Sequence, residues 1–147
     1  MTKECQEHVL LVMVASKSDL PFLEEGTGFL EKQDIAFEIV VGSCHREPKK
    51  TERKIASRLK NGNLRVVIAG AATATGLPGF FAGHLLGTNI PIYGVRFILN
   101  PGQNIIEDAT FNTSSMPSGV PLAYTGFNEK GFLHACMLAV RHIKACP

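Results

Sequence analysis

The stretch VVGSCHREP, residues 40–48, places three reactive side chains directly after an apolar run. Ser43 supplies a hydroxyl, His45 an imidazole and Arg46 a guanidinium. Arginine binds a phosphate bidentately, and serine hydroxyls and helix N-termini donate further hydrogen bonds to the same group. Histidine is the side chain whose ordinary pKa lies nearest neutrality, which suits a general acid or base. The stretch therefore predicts a phosphate site with a histidine that transfers protons.

Three other segments carry side chains or backbone suited to the same ligand. ASKSD (15–19) offers the hydroxyls of Ser16 and Ser18, and Asp19 can accept hydrogen bonds from sugar hydroxyls. The run AGAATATGLPG (69–79) is almost free of bulky side chains, so its backbone can approach a planar ligand closely. It is neither a P-loop nor a GxGxxG motif. SSMPSG (114–119) precedes a late apolar segment and can fold back to the same place.

Each of these segments also has a purely structural interpretation. Ser18 and Asp19 can simply cap a helix, and His45 can cap a neighbouring strand. The small residues can serve tight packing between a helix and the sheet. The functional interpretation is favoured because the segments fall at one edge of the predicted sheet.

Apolar runs of strand length alternate with segments of helical period along the chain. Asp19 is the predicted N-cap of the first helix, with Pro21 in its first turn. The uniformly apolar strands are typical of parallel strands covered on both faces. We therefore expect a three-layer α/β/α sandwich with a central parallel sheet and right-handed crossovers. Strands are predicted at 9–15, 35–41, 64–70, 90–95 and 120–126, and helices at 19–34, 48–62, 77–87 and 129–145.

Residues 96–119 break this alternation. They predict an irregular connection with a short helix at 104–111 and a tight Pro-Ser-Gly turn at its end.

The composition predicts one domain over residues 1–147 and narrows the classes of partner. Hydrophobic residues make up 45% and charged residues 19% of the 147 residues, as in an ordinary globular protein. The net charge of +2 is too small to indicate a nucleic-acid partner. No segment approaches the roughly 20 apolar residues that span a bilayer. The four cysteines show no metal-ligand spacing, which favours reduced thiols in a cytoplasmic protein.

SKSD, SCHR, AGAA…LPG and MPSGVP, in this order, resemble the aminoimidazole ribonucleotide carboxylase family of purine biosynthesis. The resemblance runs from about Val9 to Ala145 and is greatest to the carboxyaminoimidazole ribonucleotide mutase branch. It implies a flavodoxin-like fold, a homo-octamer and a small-molecule ribonucleotide substrate. It also implies that neither a metal ion nor an organic cofactor is needed.

The resemblance further implies a role for each motif residue. His45 would move a proton to and from the imidazole carbon of the substrate, and Asp19 would bind the ribose hydroxyls. Ser16, Ser43 and Arg46 would hold the phosphate, with Ser18 beside it. The pocket for the base and for carbon dioxide would be lined by Ala69, Gly70 and Ala71.

Several positions depart from the family pattern and leave alternatives open. Ala15 stands where the first motif usually has Gly, and Gly76 stands where the mutase branch has His. The branch that uses carbon dioxide directly also lacks that His but usually has Lys in place of Arg46. The sequence at 100–115 is unusual as well. The alternatives are thus a direct carboxylase and a divergent, non-catalytic nucleotide-binding paralogue. A flavin-binding flavodoxin is disfavoured, because the chain has no Trp and only two Tyr to stack on the ring.

Overall fold

Five parallel strands form a single sheet in the order β2-β1-β3-β4-β5. A computed structural model of the chain describes residues 8–73, 75–100, 113 and 115–146. This strand order is that of the flavodoxin-like folds, so the predicted fold class is confirmed. The strands are β1 (Leu10–Val14), β2 (Phe37–Val41), β3 (Val66–Ala71), β4 (Ile92–Arg96) and β5 (Ala123–Phe127).

Helices cover both faces of this sheet. They are a 3₁₀ helix (Lys17–Leu23), α1 (Glu24–Lys32), α2 (Pro48–Leu59), α3 (Gly76–His84) and α4 (Asn128–Ala145). Because side chains alternate along a strand, β1 and β3 each contribute to two separate cores. One core packs Leu10, Val12 and Ile68 against Leu30 of α1 and Phe132 of α4. The other packs Leu11, Val67 and Ala69 against Ile55 of α2 and Phe81 of α3.

The prediction of one continuous helix capped by Asp19 is wrong at its start. Ser16 is the N-cap, and a 3₁₀ helix intervenes before α1 begins at Glu24. Asp19 is the third residue of that 3₁₀ helix, and its carboxylate bonds back to the cap. Pro21 lies inside the 3₁₀ helix, where the missing N–H of proline disfavours a regular α-helix.

The connection after β4 is described only in part. The predicted helix at 104–111 lies outside the described residues. The predicted Pro-Ser-Gly turn is confirmed, because the N–H of Val120 donates to Pro117 O at 3.1 Å and Gly119 has φ +83°. This geometry is that of a type II turn, in which glycine is favoured at the third position. None of the helices described here is long and apolar enough to cross a membrane.

Candidate active site

The carboxyl ends of β1, β2 and β3 bring the first three motifs to one edge of the sheet. The strands are adjacent, and the pairing continues just past their ends. The N–H of Gly42 donates to Val14 O at 2.9 Å, and the N–H of Ala15 donates to Gly70 O at 3.1 Å. Such an edge is where open parallel sheets bind ligands. The predicted convergence of these segments is thus present in the fold.

Ser16, Ser18 and Asp19 form a compact hydrogen-bonded cap at the end of β1. The N–H of Ser16 donates to Asp19 Oδ2 at 3.0 Å, which closes a capping box. Ser16 Oγ accepts from the N–H of Ser18 at 3.3 Å and from Ser18 Oγ at 2.9 Å. Since Ser16 Oγ accepts both bonds, its own proton remains available for an acceptor outside the cap. The structural role of these residues therefore leaves them able to bind a ligand.

Asp19 is fully buried, with 0% exposure, and one of its oxygens is unsatisfied. Its Oδ1 has no hydrogen-bond partner among the described residues. Burial raises the pKa of Asp19 from 3.8 to about 6, although the N–H groups of Ser16 and Ala15 and the charge of Arg96 act in the opposite direction. A buried acceptor without a donor costs free energy. A ligand hydroxyl would remove that cost, as expected for a ribose-binding carboxylate.

The turn after β2 presents the side chains of His45 and Arg46 to solvent. Ser43 Oγ accepts from the N–H of Arg46 at 3.2 Å, which fixes the turn internally. The hydroxyl of Thr51, buried in α2, donates to Ser43 O at 3.0 Å. The turn is thereby tied to the helix that follows it, and its hydroxyl, imidazole and guanidinium stay at the sheet edge.

The imidazole of His45 stands directly against Gly76, the first residue of α3. A methyl group at position 76 would lie 2.6 Å from His45 Cε1 and 2.9 Å from His45 Nε2. Such separations are far below van der Waals contact. Gly76, noted above as a departure from the mutase pattern, is thus what makes room for His45 in this conformation.

The structure places Ala69, Gly70 and Ala71 inside the sheet. Ala69 and Ala71 belong to the core between β3 and the helices α2 and α3. The bare side of Gly70 is covered by the ring of Phe97. Their role in lining a pocket remains a prediction.

Two residues at this edge escaped the sequence analysis, Arg96 and Thr75. Arg96 is the last residue of β4 and is 1% exposed. Its Nη1 donates to Ala72 O and to Thr75 Oγ1, both at 2.5 Å. The signal available in the sequence was an arginine that closes the apolar run IPIYGVR without a polar neighbour.

Comparison with known proteins identifies the family. The model of the AIR carboxylase family matches residues 8–146. The chain therefore belongs to the AIR carboxylase family, in agreement with the motif resemblance.

Relatives within this family carry two different names. The chain is 31% identical to the N5-carboxyaminoimidazole ribonucleotide mutase of Thermotoga maritima, with 89% of this chain and 75% of the relative covered. It is 30% identical to the mutase of Haemophilus influenzae, with 96% and 80% covered. It is 32% identical to the phosphoribosylaminoimidazole carboxylase of Candida glabrata, where 95% of this chain spans only 23% of the relative.

The fold is shared with a solved structure of Treponema denticola PurE. The TM-score is 0.71 at 22% sequence identity, with 94% of this chain and 81% of that chain covered. At this identity the likeness supports the fold alone.

We predict that Asp19→Asn stabilises the protein at neutral pH. Because the pKa of Asp19 is raised to about 6, the folded state keeps a proton that the unfolded state has already lost. Stability therefore falls as pH rises from about 4 to about 6. Asparagine does not ionise, so the variant keeps the stability that the wild type loses over this pH range. Its free energy of unfolding at pH 7.5 should exceed that of the wild type by on the order of 1–3 kcal/mol. Urea unfolding at pH 4.5 and pH 7.5 measures the difference.

The exposed Asp34→Asn is the matched control and should change stability little at either pH. An equal effect of Asp19→Asn at both pH values would show that the buried charge is not its cause.

Proposed function

We propose that this protein converts N-carboxyaminoimidazole ribonucleotide into its C4-carboxylated isomer, a step of de novo purine (IMP) biosynthesis. The proposal rests on the position of two segments, the Ser16–Asp19 cap and the Ser43–Arg46 turn. Both lie at the same edge of the sheet. The imidazole of His45 packs against Gly76 next to these segments. Membership of the AIR carboxylase family and the names of the bacterial relatives support the same activity.

Substrate binding divides between the two motifs. The exposed guanidinium of Arg46 and the hydroxyls of Ser16 and Ser43 bind the phosphate, and Ser18 flanks it. The unsatisfied Oδ1 of Asp19 accepts hydrogen bonds from ribose hydroxyls. The base then lies beyond β3, near Ala69, Gly70 and Ala71.

The isomerisation needs one proton donated and one proton removed. When the bond between nitrogen and the carboxyl carbon breaks, its electron pair returns to the nitrogen. The nitrogen takes a proton from protonated His45, and carbon dioxide is released. Ring carbon four then attacks the carbon dioxide, and neutral His45 accepts the proton displaced from that carbon. Protons balance over the cycle, so one histidine can serve as both the acid and the base.

A second candidate is the direct carboxylase, a lyase rather than an isomerase. Gly76 and the name of the fungal relative favour it. In that reaction His45 removes the same ring proton and passes it to solvent. A non-catalytic nucleotide-binding paralogue is the third candidate, which the unusual sequence at 100–115 favours.

The carboxyl donor separates these candidates. Purified protein receives either fresh N-carboxylated substrate or the uncarboxylated ribonucleotide with excess bicarbonate, and product is followed by ultraviolet absorbance. Rapid product from the first alone indicates the mutase. Comparable product from the second indicates the carboxylase. Absence of product in both contradicts the proposed enzyme.

In the same assay, we predict that His45→Asn abolishes turnover and leaves ribonucleotide binding intact, because the phosphate and ribose contacts lie on other residues. A loss of at least about a hundredfold in kcat is expected for a general acid–base residue. The exposed His134→Asn on α4 is the control and should retain full activity. Unchanged kcat in His45→Asn would refute the assigned role.

We also predict that Gly76→Ala displaces His45. The added methyl cannot coexist with the imidazole where it now stands, so kcat should fall on the order of 10–100-fold. Thermal stability should be retained, because alanine favours the helix. Gly83→Ala, in the same helix with nothing within 4 Å, is the matched control. Equal activities of the two variants would contradict the packing of His45 on Gly76.

The same proposal includes assembly into a homo-octamer in the cytoplasm. An apolar groove of about 660 Å³ lies at the opposite end of β4 and β5, and Leu86 on its rim is 54% exposed. An exposed apolar groove of this kind is consistent with a subunit contact. Sedimentation equilibrium should give eight times the chain mass of 15.9 kDa, and a monomer at micromolar concentration would refute the assembly.

A further inference from the structure

We propose that Arg96 is a positioning residue of the active site, which fixes the start of α3 beside His45 and whose charge also favours the ionised form of Asp19. The binding and kinetic parts of its test rest on the proposed function. Nothing in the motifs described above includes this arginine.

Arg96 holds the connection between β3 and α3 at two points. Its Nη1 bonds to Ala72 O and Thr75 Oγ1, and the hydroxyl of Thr75 donates in turn to Ala72 O at 3.2 Å. Ala72 and Thr75 thus form a closed hydrogen-bonded set with the guanidinium.

This set holds Thr75 in an unfavourable backbone conformation. Thr75 has φ +39°, in the left-handed region, which is rare for a β-branched residue. Such a conformation costs on the order of 1–3 kcal/mol and persists only where its surroundings fix it. Thr75 is buried, and Arg96 is the charged group that bonds its side chain.

The position of Thr75 determines where His45 can stand. Thr75 is the N-cap of α3, and Gly76 follows it as the first helical residue. Since the imidazole of His45 lies against Gly76, a shift of the helix start would move the surface that supports it. Arg96 therefore acts on the proton-transferring residue through Thr75 and Gly76.

The same guanidinium acts on the ribose side of the site. Its positive charge favours the ionised form of Asp19 and opposes the effect of burial on the pKa of that carboxyl. The groups that act on Asp19 are the N–H groups of Ala15 and Ser16 on its own segment and Arg96 from β4. An ionised Asp19 can accept hydrogen bonds from hydroxyl groups at Oδ1, so Arg96 supports sugar binding without touching the sugar.

Binding of the uncarboxylated ribonucleotide, measured by calorimetry between pH 5 and pH 8.5, tests the charge effect. Wild-type affinity should rise as pH increases through about 6, where Asp19 ionises. In Arg96→Met the midpoint of this rise should move up by about one pH unit, which leaves about half of Asp19 ionised at pH 7 and weakens binding there about twofold. Arg96→Lys keeps the positive charge, so the midpoint of its affinity profile should stay within about half a pH unit of the wild-type value. The ligand phosphate also titrates near 6, so Asp19→Asn supplies the profile of the ligand alone.

Turnover of the same proteins tests the positioning effect. Thr75→Ala removes the hydroxyl that accepts from Arg96 and keeps the charges of Arg96 and Asp19. We therefore expect kcat to fall about tenfold or more, while KM and the midpoint of the pH profile change little. Arg96→Lys, which cannot reproduce the guanidinium geometry, should lower kcat in the same way. The exposed Arg141→Met on α4 is the control and should match the wild type in every measurement.

A purely structural role would give a different pattern. Arg96→Met would then weaken binding equally at all pH values, and Thr75→Ala would keep its kcat; that result overturns the inference. If Arg96→Met does not fold, as judged by circular dichroism, Arg96→Lys and Thr75→Ala carry the test.

Failure of the proposed function is distinguishable from failure of this inference. If the wild type shows no turnover, the NMR resonance of the His45 Cε1 proton still reports on the position of the imidazole. It should shift in Thr75→Ala and Arg96→Lys and stay unchanged in Arg141→Met. An unchanged resonance in all three would overturn the inference, whether or not the protein is an enzyme.

Discussion

The burial of the Asp19 carboxylate is the constraint on which the sheet edge depends. A buried charge is unfavourable unless hydrogen bonds and opposite charges compensate it. Here the Ser16–Asp19 capping box supplies one compensation and the guanidinium of Arg96 supplies another. Ser16 lies at the end of β1 and Arg96 at the end of β4, so the groups that offset the buried charge come from segments far apart in the chain. Among the described residues Oδ1 has no hydrogen-bond partner, and the proposed ribose contact would supply one.

The helices on the two faces of the sheet support different parts of the site. α1 and α4 pack on one face, and α2 and α3 pack on the other. The second pair carries the reactive side of the site, since the turn with His45 is bonded to α2 and its imidazole stands on α3. The side chains proposed to meet a substrate are thus held by helices that pack on a buried hydrophobic core.

Much of the fold could be predicted because burial on both faces leaves a simple signature of apolar runs. The strand order and the meeting of the Ser16, Ser43 and Gly76 segments follow from that signature and from the geometry of parallel sheets. The 3₁₀ helix could not be predicted, because a serine cap and an internal proline permit more than one helical start. Arg96 was missed because the bonds that justify a buried arginine join residues 21 to 24 positions apart. Residue type shows the charge, and only tertiary structure shows its partners.

Gly76 has a consequence for how such a site can change over generations. The imidazole of His45 fills the space into which a side chain at position 76 would point. In this geometry only one of the two positions can place a ring there. A side chain introduced at 76 is therefore not an independent event, since its effect depends on what the residue at 45 can do in response. The two positions are epistatic for a steric reason. A histidine at position 76 would therefore require a change at position 45 as well, or a shift of the helix itself.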